Sequence, residues 1–183
     1  RYAVVTDTES PATVVRISNP RPARNQGTVG GYRAIMLDQL FSQMLSDRLD
    51  ELSQKANPPF LRAGAGRGLF PTPRTRDEAI MQALVSNDGV SRGLEALVTE
   101  LQRVSRFGFT GSELDRAKQA NMAGSERVTQ ESPDRESSSR ADEYTRNFLQ
   151  DEALPTIWQE LAFQRRFVPG VTIAEVNALA KDW

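Results

Sequence analysis

Three stretches hold residues whose types and spacing could do chemistry. The first is Phe60 to Leu69, FLRAGAGRGL, where Gly64, Gly66 and Gly68 alternate. Glycines in such a run could cradle a phosphate. The spacing is neither G-x-G-x-x-G nor G-x-x-x-x-G-K-[ST], and Pro71 and Pro73 follow where a phosphate loop would start a helix. The alternation instead suits a strand with small residues where something packs close. That could be a partner's backbone or, more simply, a helix lying tightly on the sheet. The second is the pair Phe41 and Met44, which could line a ligand box. They fall in an apolar helical stripe, where core packing is the ordinary role. The third is Arg135, Arg140 and Arg146, a candidate basic patch. Asp134, Glu136, Asp142 and Glu143 interleave with it, so it reads as a solvated, salt-bridged helix face.

What the chain lacks excludes more. Its 183 residues include no His and no Cys. Zinc catalysis draws on His ligands in most sites, and Ser-His or Cys-His nucleophiles need the imidazole as base. Without Cys there is no disulfide, thiolate or iron–sulfur site. A carboxylate-only Mg²⁺ or Ca²⁺ site would need clustered acids. No D-x-D-x-D-G loop is present, and the acids are scattered along helices beside Arg and Lys. No catalytic, cofactor-binding or metal-binding residue is therefore assigned. The formal net charge of -1 gives no field to recruit nucleic acid or an anionic membrane. No apolar run approaches the roughly 18 residues of a membrane span. The length fits one domain, with 38% hydrophobic residues for a core and 26% charged residues for a surface. The chain opens with Arg1-Tyr2, so it is expected to be a segment of a longer protein.

The elements that must position these residues follow from periodicity. Tyr2 to Thr8 and Thr13 to Ser18 are short and β-branched, separated by Ser10-Pro11, and predict a hairpin. Asn19 to Gly31, with Pro20, Pro22, Gly27, Gly30 and Gly31, predicts a mobile loop. Leu37, Leu40, Phe41, Met44, Leu45, Leu49 and Leu52 recur at three and four, and predict a helix over Tyr32 to Lys55. Asp47, Arg48, Asp50, Glu51 and Lys55 lie mostly off that stripe. Asn57-Pro58-Pro59 turns the chain into the glycine strand. Thr75 to Ser86 has helical propensity over Asp77 to Leu84. We assign it as a strand, because a lone strand at 60–69 needs an antiparallel neighbour.

Helices dominate the remainder. Asn87 or Asp88 can cap a helix to Phe107, with Leu94, Leu97, Val98, Leu101 and Val104 as its stripe and Gly108 as its end. Thr110 and Glu113 form a capping box for a polar helix to about Glu131. Such a helix lies on a surface or bridges to another domain. Ser132-Pro133 restarts the chain into a helix to Leu149, with Ala141, Tyr144, Phe148 and Leu149 inward. Pro155 opens a helix to about Phe167, closed by Pro169-Gly170. Thr172 to Glu175 is a second capping box, for a terminal helix through Trp183. Strands followed by helices predict an α+β fold, β-β-α-β-β and then a helical C-terminal part, with helices on one face of an antiparallel sheet. There is no internal repeat.

In this order the pieces resemble the C-terminal-type domain of the M16 (insulinase/pitrilysin) zinc metallopeptidases, of the long bacterial kind. The matching residues are Val5 to Glu9 (VTDTE), Met44 to Leu52 (MLSDRLDEL), Pro59 to Ala63 (PFLRA), Gly108 to Lys118 (GFTGSELDRAK), Asn147 to Leu149 (NFL) and Val171 to Ala180 (VTIAEVNALA). The resemblance implies a LuxS/MPP-like metallohydrolase fold over residues 1–183, as one domain of a longer peptidase. In such peptidases four similar domains form two halves that close around a peptide. The zinc sits in the first domain, on an H-x-x-E-H helix plus a downstream Glu. This chain departs from that pattern, having no His, and so resembles the second domain. The resemblance thus implies a preceding zinc domain and a second half as partners, a peptide substrate, and a bacterial envelope location. An Arg and a Tyr of the family's second half contact substrate. Arg140 and Tyr144 superficially resemble them, but the role does not transfer to what reads as a first half. The alternative is an assembly or binding module of a peptidase-like protein that has lost catalysis.

Overall fold

The computed structural model describes residues 2–69, 76–132, 137–150 and 152–183. The chain runs β1 (Thr13–Pro22), α1 (Val29–Ser53), β2 (Arg62–Leu69), β3 (Arg76–Val85), α2 (Val90–Phe107), α3 (Gly111–Gln130), α4 (Ser137–Gln150), α5 (Ile157–Phe167) and α6 (Ile173–Ala178). A 3-10 turn, Leu179–Asp182, follows. The fold is α+β, as predicted. β3 is the centre of a three-stranded antiparallel sheet in the order β1-β3-β2. Met81 of β3 registers with Ile17 of β1 and Ala65 of β2. The strand assignment at Thr75 to Ser86 is borne out by β3: two neighbours override its helical propensity.

The predicted β-β-α-β-β order is corrected in its first element. Among the described residues, Tyr2 to Thr8 forms no strand. Tyr2, Val4 and Val5 are 96%, 81% and 90% exposed, so nothing rewards their ordering. The predicted loop from Asn19 is corrected too, because β1 runs on through Pro22. Pro20 and Pro22 are two apart, so their missing N–H groups fall on one edge. β1 pairs with β3 only, so that edge makes no ladder.

Residues of one parity on all three strands face the helices. Val15, Met81, Ala83 and Val85 are buried there, with Ala63 and Ala65 packed against them. α1 lies on this face. Leu40, Phe41, Met44, Leu45 and Leu49 of its predicted stripe are each no more than 1% exposed, and Leu37 and Leu52 flank them. Thr28 caps α1 by accepting from the Gly31 N–H at 3.0 Å. Phe41 is enclosed by Phe109, edge-on at 5.2 Å, and by Trp183, stacked at 4.9 Å.

α2 seats less of its predicted stripe. Leu97 and Val104 are buried, but Leu94 and Val98 are 41% and 38% exposed. α2 instead meets the sheet at Gly93, where a Cβ would run into the Val85 side chain. Its N-cap is Gly89 and carries no side-chain bond. Asn87 accepts from the Thr13 hydroxyl at 3.0 Å instead of capping. Gly93→Ala should therefore destabilise. Crowding costs about 1–3 kcal/mol, against a helix-propensity gain of about 1 kcal/mol for Ala over Gly. A lower urea midpoint is the expected result, and a higher one would show that α2 is not seated at Gly93.

The other starts and stops follow local chemistry. Gly108, at φ 70°, ends α2. The capping boxes at Thr110–Glu113 and Thr172–Glu175 are both present, and Thr156–Gln159 makes a third, just after Pro155. The terminal helix is shorter than predicted, since α6 passes into the 3-10 turn at Leu179. α4 contradicts its predicted inward face. Tyr144 and Phe148 are 65% and 87% exposed, and Ala141 is exposed as well. Pro71, Pro73 and the restart at Pro133 lie outside the described residues.

Candidate functional site

A cleft of about 980 Å³ opens between α1 and β2 on one side and α3 and α5 on the other. Its floor is a four-charge cluster. Arg67 has the helix-facing parity of β2, and Asp77 is its diagonal neighbour on β3, since Arg67 registers with Ala79 and Leu69 with Asp77. Arg67 Nε donates to Asp77 Oδ2 at 3.1 Å, and Arg67 Nη1 to Asp38 Oδ1 at 3.4 Å. Arg24, arriving from the segment after β1, donates through Nε to Asp77 Oδ2 at 2.9 Å and through Nη1 to Asp38 Oδ2. The Asp77, Asp38 and Arg67 side chains are only 3%, 5% and 6% exposed. Burial pushes the Asp38 carboxyl up, against the pull of Arg24 and Arg67. Each carboxylate is held by two guanidiniums, so neither is placed to shuttle a proton. The cluster ties the helix layer to the sheet.

A second charged node lies between α1, α2 and α3. Arg48 Nε donates to Glu113 Oε1 at 2.6 Å, Nη1 to Glu100 Oε1 at 3.2 Å, and Nη2 to Glu113 Oε2 at 3.0 Å and the Gly108 carbonyl at 3.1 Å. Its guanidinium carbon also lies 4.7 Å from the Phe109 ring centre. Arg48 was expected mostly off the stripe. Its side chain is 14% exposed, because α3 folds back over α1.

The residues singled out by chemistry come to rest far apart. Phe41 and Met44 are core. Gly64, Gly66 and Gly68 share the sheet face opposite the helices. A Cβ at Gly66 or Gly68 would meet nothing within 4 Å, so the tight helix-on-sheet packing expected there is corrected. The helices pack on the alanine parity of β2 instead, and Ser46 of α1 bonds the Ala65 N–H at 3.0 Å along the strand's edge. Arg146 pairs with Glu152 at 2.8 Å. Arg135 and the Arg140 side chain lie outside the described residues, and Tyr144 points to solvent. No group of three metal-ligating side chains occurs among the described residues. The two charged nodes were missed by sequence reasoning. The one usable signal was Asp38, a carboxylate three residues before Phe41 and so on the apolar stripe itself.

This architecture defines a class, an α+β domain of the kind found in M16 peptidases. No family model matches the chain. It is 24% identical over 177 residues to a protein described as "Zinc protease PQQL-like" from Arabidopsis thaliana, across 97% of this chain but only 15% of that protein. The chain therefore spans a small part of its curated relative. Among solved structures, the first half of the periplasmic protease PqqL from Escherichia coli superposes with a TM-score of 0.85 at 13% identity, covering 97% of this chain and 38% of that one. An insulinase family protease from Yersinia pestis gives 0.81 at 13% identity, covering 94% and 37%. A peptidase M16 inactive domain from Pseudomonas fluorescens gives 0.60 at 18% identity, covering 94% and 38%. The resemblance to M16 insulinase-type peptidases thus extends to both sequence and fold, and it includes inactive domains.

Proposed function

We propose that this chain is a non-catalytic domain of an M16 zinc metalloendopeptidase. In this reading it packs on the parent's zinc-bearing domain and helps enclose the peptide, within a LuxS/MPP-like fold. The observation that carries the reading is the superposition on the first half of a protease over 97% of the chain, by a sequence with no His. A zinc-bound water attacks a peptide carbonyl best where bulk solvent is excluded, and a silent domain can supply that wall. The zinc then belongs to a preceding domain, and the second half of the parent closes the chamber. A periplasmic location follows the two PqqL structures, which are of a periplasmic protease. The second reading, an assembly or binding module, is favoured by neighbours described as inactive domains.

Peptide cleavage by the parent separates them, measured with and without a chelator. The expected result is cleavage that the chelator stops, and that falls by orders of magnitude when both His of a preceding H-x-x-E-H are changed to Ala. Undiminished cleavage in that variant would overturn the peptidase reading. A parent that folds and cleaves nothing would favour the binding module.

A further inference from the structure

The sheet has two outer edges, and the chain treats them differently. Along β2, the Ser46 hydroxyl accepts from the Ala65 N–H at 3.0 Å and donates to the Ala65 carbonyl at 3.3 Å, so α1 answers that edge from within. Ala65 thus points its backbone polar groups away from β3. Its partner Met81 therefore points them toward β1 and exchanges bonds with Ile17. By the same alternation, the N–H and C=O groups of Val14, Arg16 and Ser18 face outward from β1. Pro20 and Pro22 share that parity and blunt the far half of the edge. The half from Val14 to Ser18 has no such protection. Among the described residues, no backbone hydrogen bond reaches these outward groups, and β1 has no second neighbour. The strand-like stretch at Tyr2 to Val5 does not cover them, since Tyr2, Val4 and Val5 are exposed.

The open half lies beside an uncovered apolar strip. α1 packs on β2, while α2 packs on β1 and β3. Glu100 faces α1, because it pairs with Arg48. Leu94 and Val98 lie roughly 120° and 160° round α2 from Glu100, on the flank away from α1. That flank overhangs the outer side of β1. Val90, one turn before Leu94, extends the strip toward Gly93, which meets Val15 and Val85. All three strip residues are exposed. On the other face of the same edge stands Arg16. It donates to Gln82 Oε1 at 3.1 Å and has no carboxylate partner among the described residues.

We propose that the Val14–Ser18 edge binds an extended peptide from another molecule as a fourth, antiparallel strand. Its backbone completes the ladder at Val14, Arg16 and Ser18. Its residues beside Val15 and Ile17 are apolar and lie against Leu94 and Val98. Its residue opposite Arg16 is acidic, since opposite charges facing across strands are favourable. A second copy fits less well. Two such edges pairing antiparallel would set Arg16 opposite or diagonal to its own counterpart, and like charges there are unfavourable. The slot uses only the chain's own residues and does not rest on the peptidase reading.

The test is an NMR titration of the 183-residue chain with the acetylated peptide amide Thr-Val-Glu-Val-Thr. Saturable shifts are expected at the Val14, Arg16 and Ser18 amides and at the Val90, Leu94 and Val98 methyls. Replacing the central Glu by Lys should weaken binding about threefold, and Arg16→Glu should reverse the order of the two peptides. N-methylation of the central Glu removes a ladder donor and should cost about tenfold, whereas N-methylation of either Val, whose N–H points outward, should cost little. Val14→Pro removes the matching donor from the protein and should also weaken binding. No saturable binding would overturn the proposal. So would equal binding of the two N-methylated forms, or an unchanged peptide order in Arg16→Glu. Val14, Arg16 and Ser18 amides already protected from exchange before peptide is added would overturn it too. Protection independent of protein concentration would then identify the chain's own segment as the occupant, and protection rising with concentration a second copy.

Discussion

Arg48→Ala should cost the fold about 3 kcal/mol, at the lower end of what breaking a buried charge pair costs. Arg48 serves two carboxylates and a helix-end carbonyl at once. Without it, Glu100, whose side chain is 5% exposed, retains among the described residues the ion pair with Arg103 at 3.7 Å. Glu113 retains its capping bonds to Thr110. These residual partners keep the expected loss from being larger. Urea unfolding of the wild type, Arg48→Ala and Arg48→Met separates charge from packing, since Met restores most of the stem. Glu100→Gln should destabilise the wild type but recover part of the loss in Arg48→Met. The sign reverses because the first change breaks a pair and the second removes a buried, under-partnered charge. Equal costs in both backgrounds would show that the pair is not coupled.

The same node sets a pH dependence. Burial disfavours the ionised form of Glu113, but the Arg48 bonds and those from the Thr110 N–H and hydroxyl outweigh it and lower its pKa from 4.5 to about 2. The folded value lies below the unfolded one. Its contribution is therefore complete above pH 4.5 and is lost as pH falls toward 2. Glu175 follows the same direction, held first by the Thr172 N–H and then by Arg33. Urea midpoints should fall through that window in the wild type, and less steeply in Arg48→Ala.

Phe41→Ala is expected to have an equal or larger effect, about 3–5 kcal/mol, since the aromatic is fully buried and the cavity cannot close without moving neighbours. Those neighbours are Phe109, at the α2–α3 corner, and Trp183, at the end of the chain. The ring pairs add to the burial term. Phe41→Leu keeps much of the volume and should cost less than half as much. Loss of native Trp fluorescence at lower urea than in the wild type would report that the terminal turn is released with the core. A Phe41→Ala midpoint equal to the wild type would show that the corner is not packed as described.

What the amino-acid sequence determined by itself was local. The α1 stripe from Leu40 to Leu49, the capping boxes at Thr110 and Thr172, and the stop at Gly108 each act within one or two turns. Their chemistry is complete in a few consecutive residues. The absence of His and Cys was equally legible and removed whole classes of reaction. The glycine strand and its antiparallel neighbour were readable because β2 and β3 are joined in sequence.

Only the tertiary structure decided the rest, because those features depend on partners far along the chain. Tyr2 to Thr8 has strand composition but joins no sheet among the described residues. Leu94 and Val98 on α2 and Phe148 on α4 are apolar at positions that read as inward, yet they are exposed once the helices are packed. Gly93 looks like a weak point in a helix until the sheet places Val85 against it. Arg48 reads as a surface residue until Glu113, 65 residues later, comes to lie beside it. The cleft is the extreme case. Asp77, Asn121 and Gln164 stand on three elements with no spacing that relates them, and only the packing of α3 and α5 over α1 and β2 brings the three residues to one cleft.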